Sequence, residues 1–140
     1  MGNYKDLEIY KLSFELALKV HELSLKLPKH ELYEQGSQIR RSSKSIKDNI
    51  VEAYGRRRYK AEYIRFLIFS HASCDEIISQ LEMIQELYFK NDPITSLIDD
   101  YNRLGSKINR FIKHVEINWK PLNESGYELK EGDESYPDTL

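Results

Sequence analysis

Residues 37–69 read SQIRRSSKSIKDNIVEAYGRRRYKAEYIRFLIF. Up to Tyr54, Ile39, Ser43, Ile46, Ile50 and Ala53 recur at three- and four-residue spacing, which puts them on one face of a helix. From Tyr59 or Lys60 a second helical pattern begins, with Tyr63, Phe66 and Leu67 on its apolar face. Gly55 is expected to end the first of these helices at positive φ, with Arg56, Arg57 and Arg58 set against its terminal carbonyls. The stretch holds nine of the chain's 21 Lys and Arg residues: Arg40, Arg41, Lys44, Lys47, Arg56, Arg57, Arg58, Lys60 and Arg65. Only Asp48, Glu52 and Glu62 oppose them.

Upstream, Asp6 to Leu27 reads as a helix closed by Pro28. It is apolar on two faces. Leu7, Tyr10, Phe14, Ala17, Leu18, His21 and Leu25 form one stripe; Ile9, Leu12, Leu16, Val20, Leu23 and Leu27 form another roughly opposite. A surface helix of a monomer needs only one apolar face. Either this helix lies in the middle of its own fold, or one stripe meets another subunit. A small bundle has little material to cover both sides, so an interface is expected, with Leu12, Leu16, Val20 and Leu23 as candidates.

Downstream, the helix from Tyr59 or Lys60 extends to about Lys90 through Ser70, Cys74, Ile77, Leu81, Ile84 and Tyr88. Asp92 is a candidate N-cap, with Pro93 at the first position of a last helix that runs to about Asn118. That helix carries one clean stripe from Ile94 through Tyr101, Gly105 and Phe111 to Val115. Four amphipathic helices with short connections and no strand signal predict an all-α, antiparallel up-down-up-down four-helix bundle over residues 1–120. Residues 121–140 are expected to form a disordered acidic tail.

The chain has 140 residues, enough for one domain with a real core, and 31% of them are charged. No apolar run reaches the length of a membrane span, and the charged N-terminus does not read as a signal peptide. The single cysteine, Cys74, excludes an intrachain disulfide framework and suits a reducing cytoplasm. The net charge of −2 is unevenly spread. Glu124, Glu128, Glu131, Asp133, Glu134 and Asp138 crowd the last residues with only Lys130 against them. The rest of the chain keeps 20 basic and 17 acidic residues. Such a tail can fold back on the basic stretch and compete with a polyanion, although an acidic extension is more often simply solvated.

Arg40, Arg41, Lys44, Lys47, Arg56, Arg57, Arg58 and Lys60 are the candidate phosphate-binding residues, since cations on a helix face and adjoining turn displace counterions from a polyanion. Tyr54, Tyr59 and Tyr63 between them are candidates for stacking on bases. The competing reading is structural: the arginines terminate a helix and pair with Glu52 or other carboxylates. Arg58 and Lys60 resist it, because a cation is disfavoured where a helix starts. Asn49 and Glu52 are expected to fix helix register through buried hydrogen bonds. His71, Cys74 and Asp75 have helical metal-ligand spacing but lack partners elsewhere, so Cys74 reads as a core residue and no metal is expected. No nucleophile–base pair, phosphate-cradling glycine loop or cofactor motif can be assembled. A non-enzyme without a cofactor or small-molecule substrate is expected.

The stretch also carries a likeness. It resembles the four-helix-bundle proteins encoded in intervening sequences of 23S ribosomal RNA genes. The residues that match the family pattern are Ser37, Gln38, Ile39, Arg40, Arg41, Ser45, Ile46, Asn49, Ile50 and Glu52. Gly55, Arg56 and the run from Glu62 to Leu67 continue it. The likeness covers about Leu7 to Leu87. Ala53 and Ser42 depart from it, standing where glycine and alanine are common. The resemblance implies a homo-oligomer, with pentameric rings known in this family and its relatives among retroelement accessory proteins. It implies no enzyme. It suggests binding of RNA or DNA, with an assembly or adaptor role as the alternative.

Overall fold

The computed structural model describes residues 2–121, and the expected acidic tail from Leu122 onward lies outside them. Four helices, and no strand among the described residues, make up the chain: α1 Glu8–Ser24, α2 Gln35–Gly55, α3 Lys60–Tyr88 and α4 Thr95–Asn118. Each helix neighbours the next in sequence, most extensively α2 with α3, and α1 also touches α4. The packing is that of a helical bundle.

The stripes read from the sequence in α2, α3 and α4 meet in the interior. Ile39, Ile46, Ile50, Leu67, Cys74, Ile77, Leu81, Ile84, Tyr101, Leu104, Ile108, Phe111 and Val115 are all fully buried. Serines let α2 and α3 approach closely. The Ser70 hydroxyl donates to the Ile46 carbonyl at 2.8 Å, and Ser45 and Ser73 hydroxyls meet at 2.9 Å. At the α3–α4 contact, Gly105 leaves room for Cys74, whose sulfur lies 3.5 Å from where a Cβ would stand. The Cys74 thiol donates to the Tyr101 carbonyl.

The ends of the elements differ from the sequence reading for local reasons. After Ser24 the chain tightens into i→i−3 bonds, Leu25 to Glu22 and Lys26 to Leu23, so α1 stops before Leu27. Gly55 is the last residue of α2 and has no positive φ; the residue that caps the helix is Arg56, with φ −106° and ψ 11°. The start of α4 is capped from outside: Gln85 Oε1 accepts from the Ile94 amide at 2.8 Å, and Asp92 takes no part. A side chain from α3 thus does what the local Asp92-Pro93 signal was expected to do.

The link between α1 and α2 is tied down by charge. The Arg40 guanidinium donates to Ser24 Oγ and to the Leu32 carbonyl, both at 2.9 Å. Glu31, only 7% exposed, accepts from Gln35 Nε2 at 2.6 Å and from the Tyr88 hydroxyl at 2.7 Å. The carboxylate that accepts this hydrogen bond holds the Tyr88 hydroxyl above its usual pKa.

One buried group has no such tie. The Tyr101 hydroxyl has no hydrogen-bond partner among the described residues, although its side chain is fully buried. Burial pushes its pKa up, and the Tyr101 phenol stays neutral. Tyr101→Phe is expected to stabilise the fold by about 1 kcal/mol, because it deletes a polar group that gained nothing in exchange for water. Urea denaturation of the two proteins measures it.

Candidate functional site

The eight basic candidates do not form one surface. Arg40 points inward and is held by Ser24 and Leu32, so it is a structural residue and leaves the candidate set. Lys47 pairs with Asp48 at 2.8 Å. Arg56 pairs with Glu52 at 3.3 Å and with Glu62 at 3.1 Å, and its guanidinium lies 4.6 Å from the centre of the Phe66 ring. Arg57 stacks 4.0 Å over Tyr54 and donates to that residue's carbonyl at 2.8 Å. The expected pairing of arginines with helix-terminal carbonyls and with Glu52 is therefore made by Arg57 and Arg56.

Arg41, Lys44, Arg58 and Lys60 remain. All four are exposed and have no ion pair among the described residues. They fall in two groups. Arg58 and Lys60 occupy the turn between α2 and α3 and the first residue of α3. Tyr59 lies between them with 62% of its surface exposed. Arg41 and Lys44 lie about 15–25 Å away along α2, at roughly 1.5 Å per residue. They rim a polar groove of about 820 Å³ between α2 and α3, which Asp48 and Glu76 line as well, beside Ser42, Ser45, Ser73 and Gln80.

Three expected roles change. Tyr54 and Tyr63 are buried, which leaves Tyr59 alone positioned for stacking. Glu52 is exposed and, among the described residues, pairs with Arg56 at the end of its own helix, which is not the buried hydrogen bond expected of it. Among the described residues, Asn49 donates to the Ser45 carbonyl within α2 at 2.9 Å, and Ser45 in turn meets Ser73 of α3. In α1 the two stripes sort the other way round. Leu16, Val20 and Leu23 are buried in the chain's own core, and Leu12 packs against it. The opposite stripe begins in the core, with Leu7 buried and Tyr10 packed against it, and is uncovered further on: Phe14 is 44% exposed, Leu18 57% and Leu25 62%. His21, on the same side, is exposed as well. The helical period identified two stripes, but packing against α2 and α4 chose between them.

His71, Cys74 and Asp75 do not converge on one point. Cys74 faces the Tyr101 carbonyl inside the bundle, while His71 Nδ1 and the exposed Asp75 carboxylate are 3.6 Å apart outside it. Burial raises the Cys74 thiol from 9.0 to about 12. Between those pH values the unfolded chain gives up this proton and the folded chain keeps it, so stability falls as pH rises. The melting temperature should drop more steeply from pH 9 to pH 11 in the parent protein than in Cys74→Ala. Native Cys74 should also resist a thiol reagent that labels the unfolded chain at once.

Trp119 is a residue whose role the sequence did not disclose. Its indole Nε1 donates to the Arg57 carbonyl at 2.8 Å and pins the end of α4 to the basic turn. No spacing rule links two residues 62 positions apart.

These features define an all-α protein of four helices with cations at one inter-helix turn and along one polar groove. No helix of the described residues is long and apolar enough to cross a membrane. The model of a family described as 23S rRNA-intervening sequence protein matches residues 5–110, and the chain belongs to that family. No curated protein matches it.

Proposed function

We propose that the chain is a non-enzymatic, cytoplasmic, homo-oligomeric protein that binds RNA or DNA phosphates through the turn between α2 and α3. The observation that carries this reading is the set of exposed cations Arg58 and Lys60 around exposed Tyr59, at the start of a helix whose dipole disfavours them. Cations that have no carboxylate partner among the described residues suit an anion from elsewhere. Arg41 and Lys44 along α2 extend the track, and a ring of subunits would repeat it.

The bundle in this reading is antiparallel, up-down-up-down. Cross-helix pairs support it: residue numbers rise on one helix as they fall on its neighbour, as in Ser42–Glu76, Ser45–Ser73 and Ile46–Ser70. Lys107–Glu8 and Lys19–Asp100 do the same for α1 and α4. The stripe Phe14, Leu18 and Leu25 is the proposed subunit contact, with a second copy of the chain as its occupant. A closed ring needs two different faces on each subunit. Exposed Ile68, Met83 and Leu87 on α3 supply the second.

The test is a salt series with single-stranded RNA. Log affinity should fall linearly with log salt, with a slope of about −3 if four phosphates are contacted. In Arg58→Ala/Lys60→Ala the slope should flatten by roughly 1.4. Absence of binding at low salt would remove the nucleic-acid reading. In the assembly or adaptor reading the same basic residues hold subunits together or dock a protein partner; of these, Arg56 and Arg57 are already engaged within the chain. That reading would be favoured if the double variant lost oligomer mass and not RNA affinity.

A further inference from the structure

We propose that the acidic segment Glu124–Asp138 docks on the basic turn of its own chain, over Arg58 and Lys60, where it competes with any polyanion. Three observations converge on this. The Trp119–Arg57 hydrogen bond fixes the point from which the segment departs directly against the turn. Arg58 and Lys60 are exposed and lack an ion pair among the described residues. The segment carries six carboxylates against Lys130 alone.

Reach and charge fit one another. Three residue steps separate Glu124 from Pro121, and three residues of chain can span at most roughly 10 Å. A segment tethered this closely faces the cations at an effective concentration in the millimolar range, about what weak multivalent ion pairing requires. The contact is between exposed charges, so salt should dissolve it over the range where the screening length falls to about 3–10 Å. Docking stands apart from the nucleic-acid reading, whereas competition rests on it.

The test uses the full chain. Ser135→Cys carries a spin label, and Cys74 escapes labelling because it is buried. Amide resonances of Arg56 to Lys60 should broaden at 50 mM salt and recover at 0.5 M. In a second full-length protein Glu124, Glu128, Glu131, Asp133, Glu134 and Asp138 are replaced by their amides. There the broadening should vanish, and single-stranded RNA should bind about tenfold more tightly at low salt. Broadening that is absent, or unchanged by neutralising the acids, overturns the docking whatever the RNA result. Broadening with no gain in RNA affinity overturns the competition. If neither protein binds RNA, the nucleic-acid reading and the competition fail together, and the resonance measurement still decides the docking.

Discussion

Arg40→Ala is expected to cost the fold about 3 kcal/mol, the sum of two charge-assisted hydrogen bonds at roughly 1.5 kcal/mol each. Ser24 Oγ and the Leu32 carbonyl lose their donor together. Both lie on the short segment that turns the chain from α1 into α2, so the loss falls on the junction of two helices. The space is filled tightly: a Cβ on Gly36 would stand 3.1 Å from Arg40 Nη1 and 3.0 Å from the Glu31 carbonyl oxygen. Lysine should rescue little, because an ammonium cannot span two acceptors as a planar fork does. For a chain of this size the melting temperature should fall by about 10 °C. Arg41→Ala, one residue on and exposed, should stay within about 0.5 kcal/mol of the parent. Equal effects at the two positions would mean that the inward pose of Arg40 carries no stability. Any weaker RNA binding by Arg40→Ala should follow the unfolded fraction and disappear when the protein is measured well below its melting temperature.

Leu18→Asp combined with Leu25→Asp is expected to reduce the proposed ring to folded monomers. Each substitution removes an exposed leucine and places a carboxylate where a second copy would bury it, at about 2–3 kcal/mol per residue in each subunit contact. Even 3 kcal/mol weakens a contact by about two orders of magnitude. The subunit itself should survive, since both side chains face outward and the core does not use them. Light scattering reads the mass, and far-ultraviolet circular dichroism reads the fold. The sharper comparison is Leu16→Asp. That change should unfold the subunit, because Leu16 is 1% exposed within the chain's own core. A mass unchanged in the Leu18/Leu25 variant would show that this stripe is not the contact.

The helices and most of the core are legible in the order of the residues. Apolar residues at three- and four-residue spacing in α2, α3 and α4 leave one face each to bury, and those faces are the ones that met. Ser43, Ser70 and Cys74 were legible on the same grounds, as small residues on an apolar stripe. The basic stretch was legible as a concentration of charge, because composition along the chain needs no structure. The rest depends on how the helices pack. Arg40 and Arg41 are adjacent and chemically identical. One turns inward to acceptors on α1 and the connection; the other stays in water, because consecutive residues on a helix point about 100° apart. Which stripe of α1 is core depended on where α2 and α4 lie, and that information sits outside the helix. The cap of α4 comes from Gln85 and the anchor of Trp119 from the Arg57 carbonyl. Periodicity reports the direction of each side chain from its own axis. It carries nothing about what another helix will place opposite.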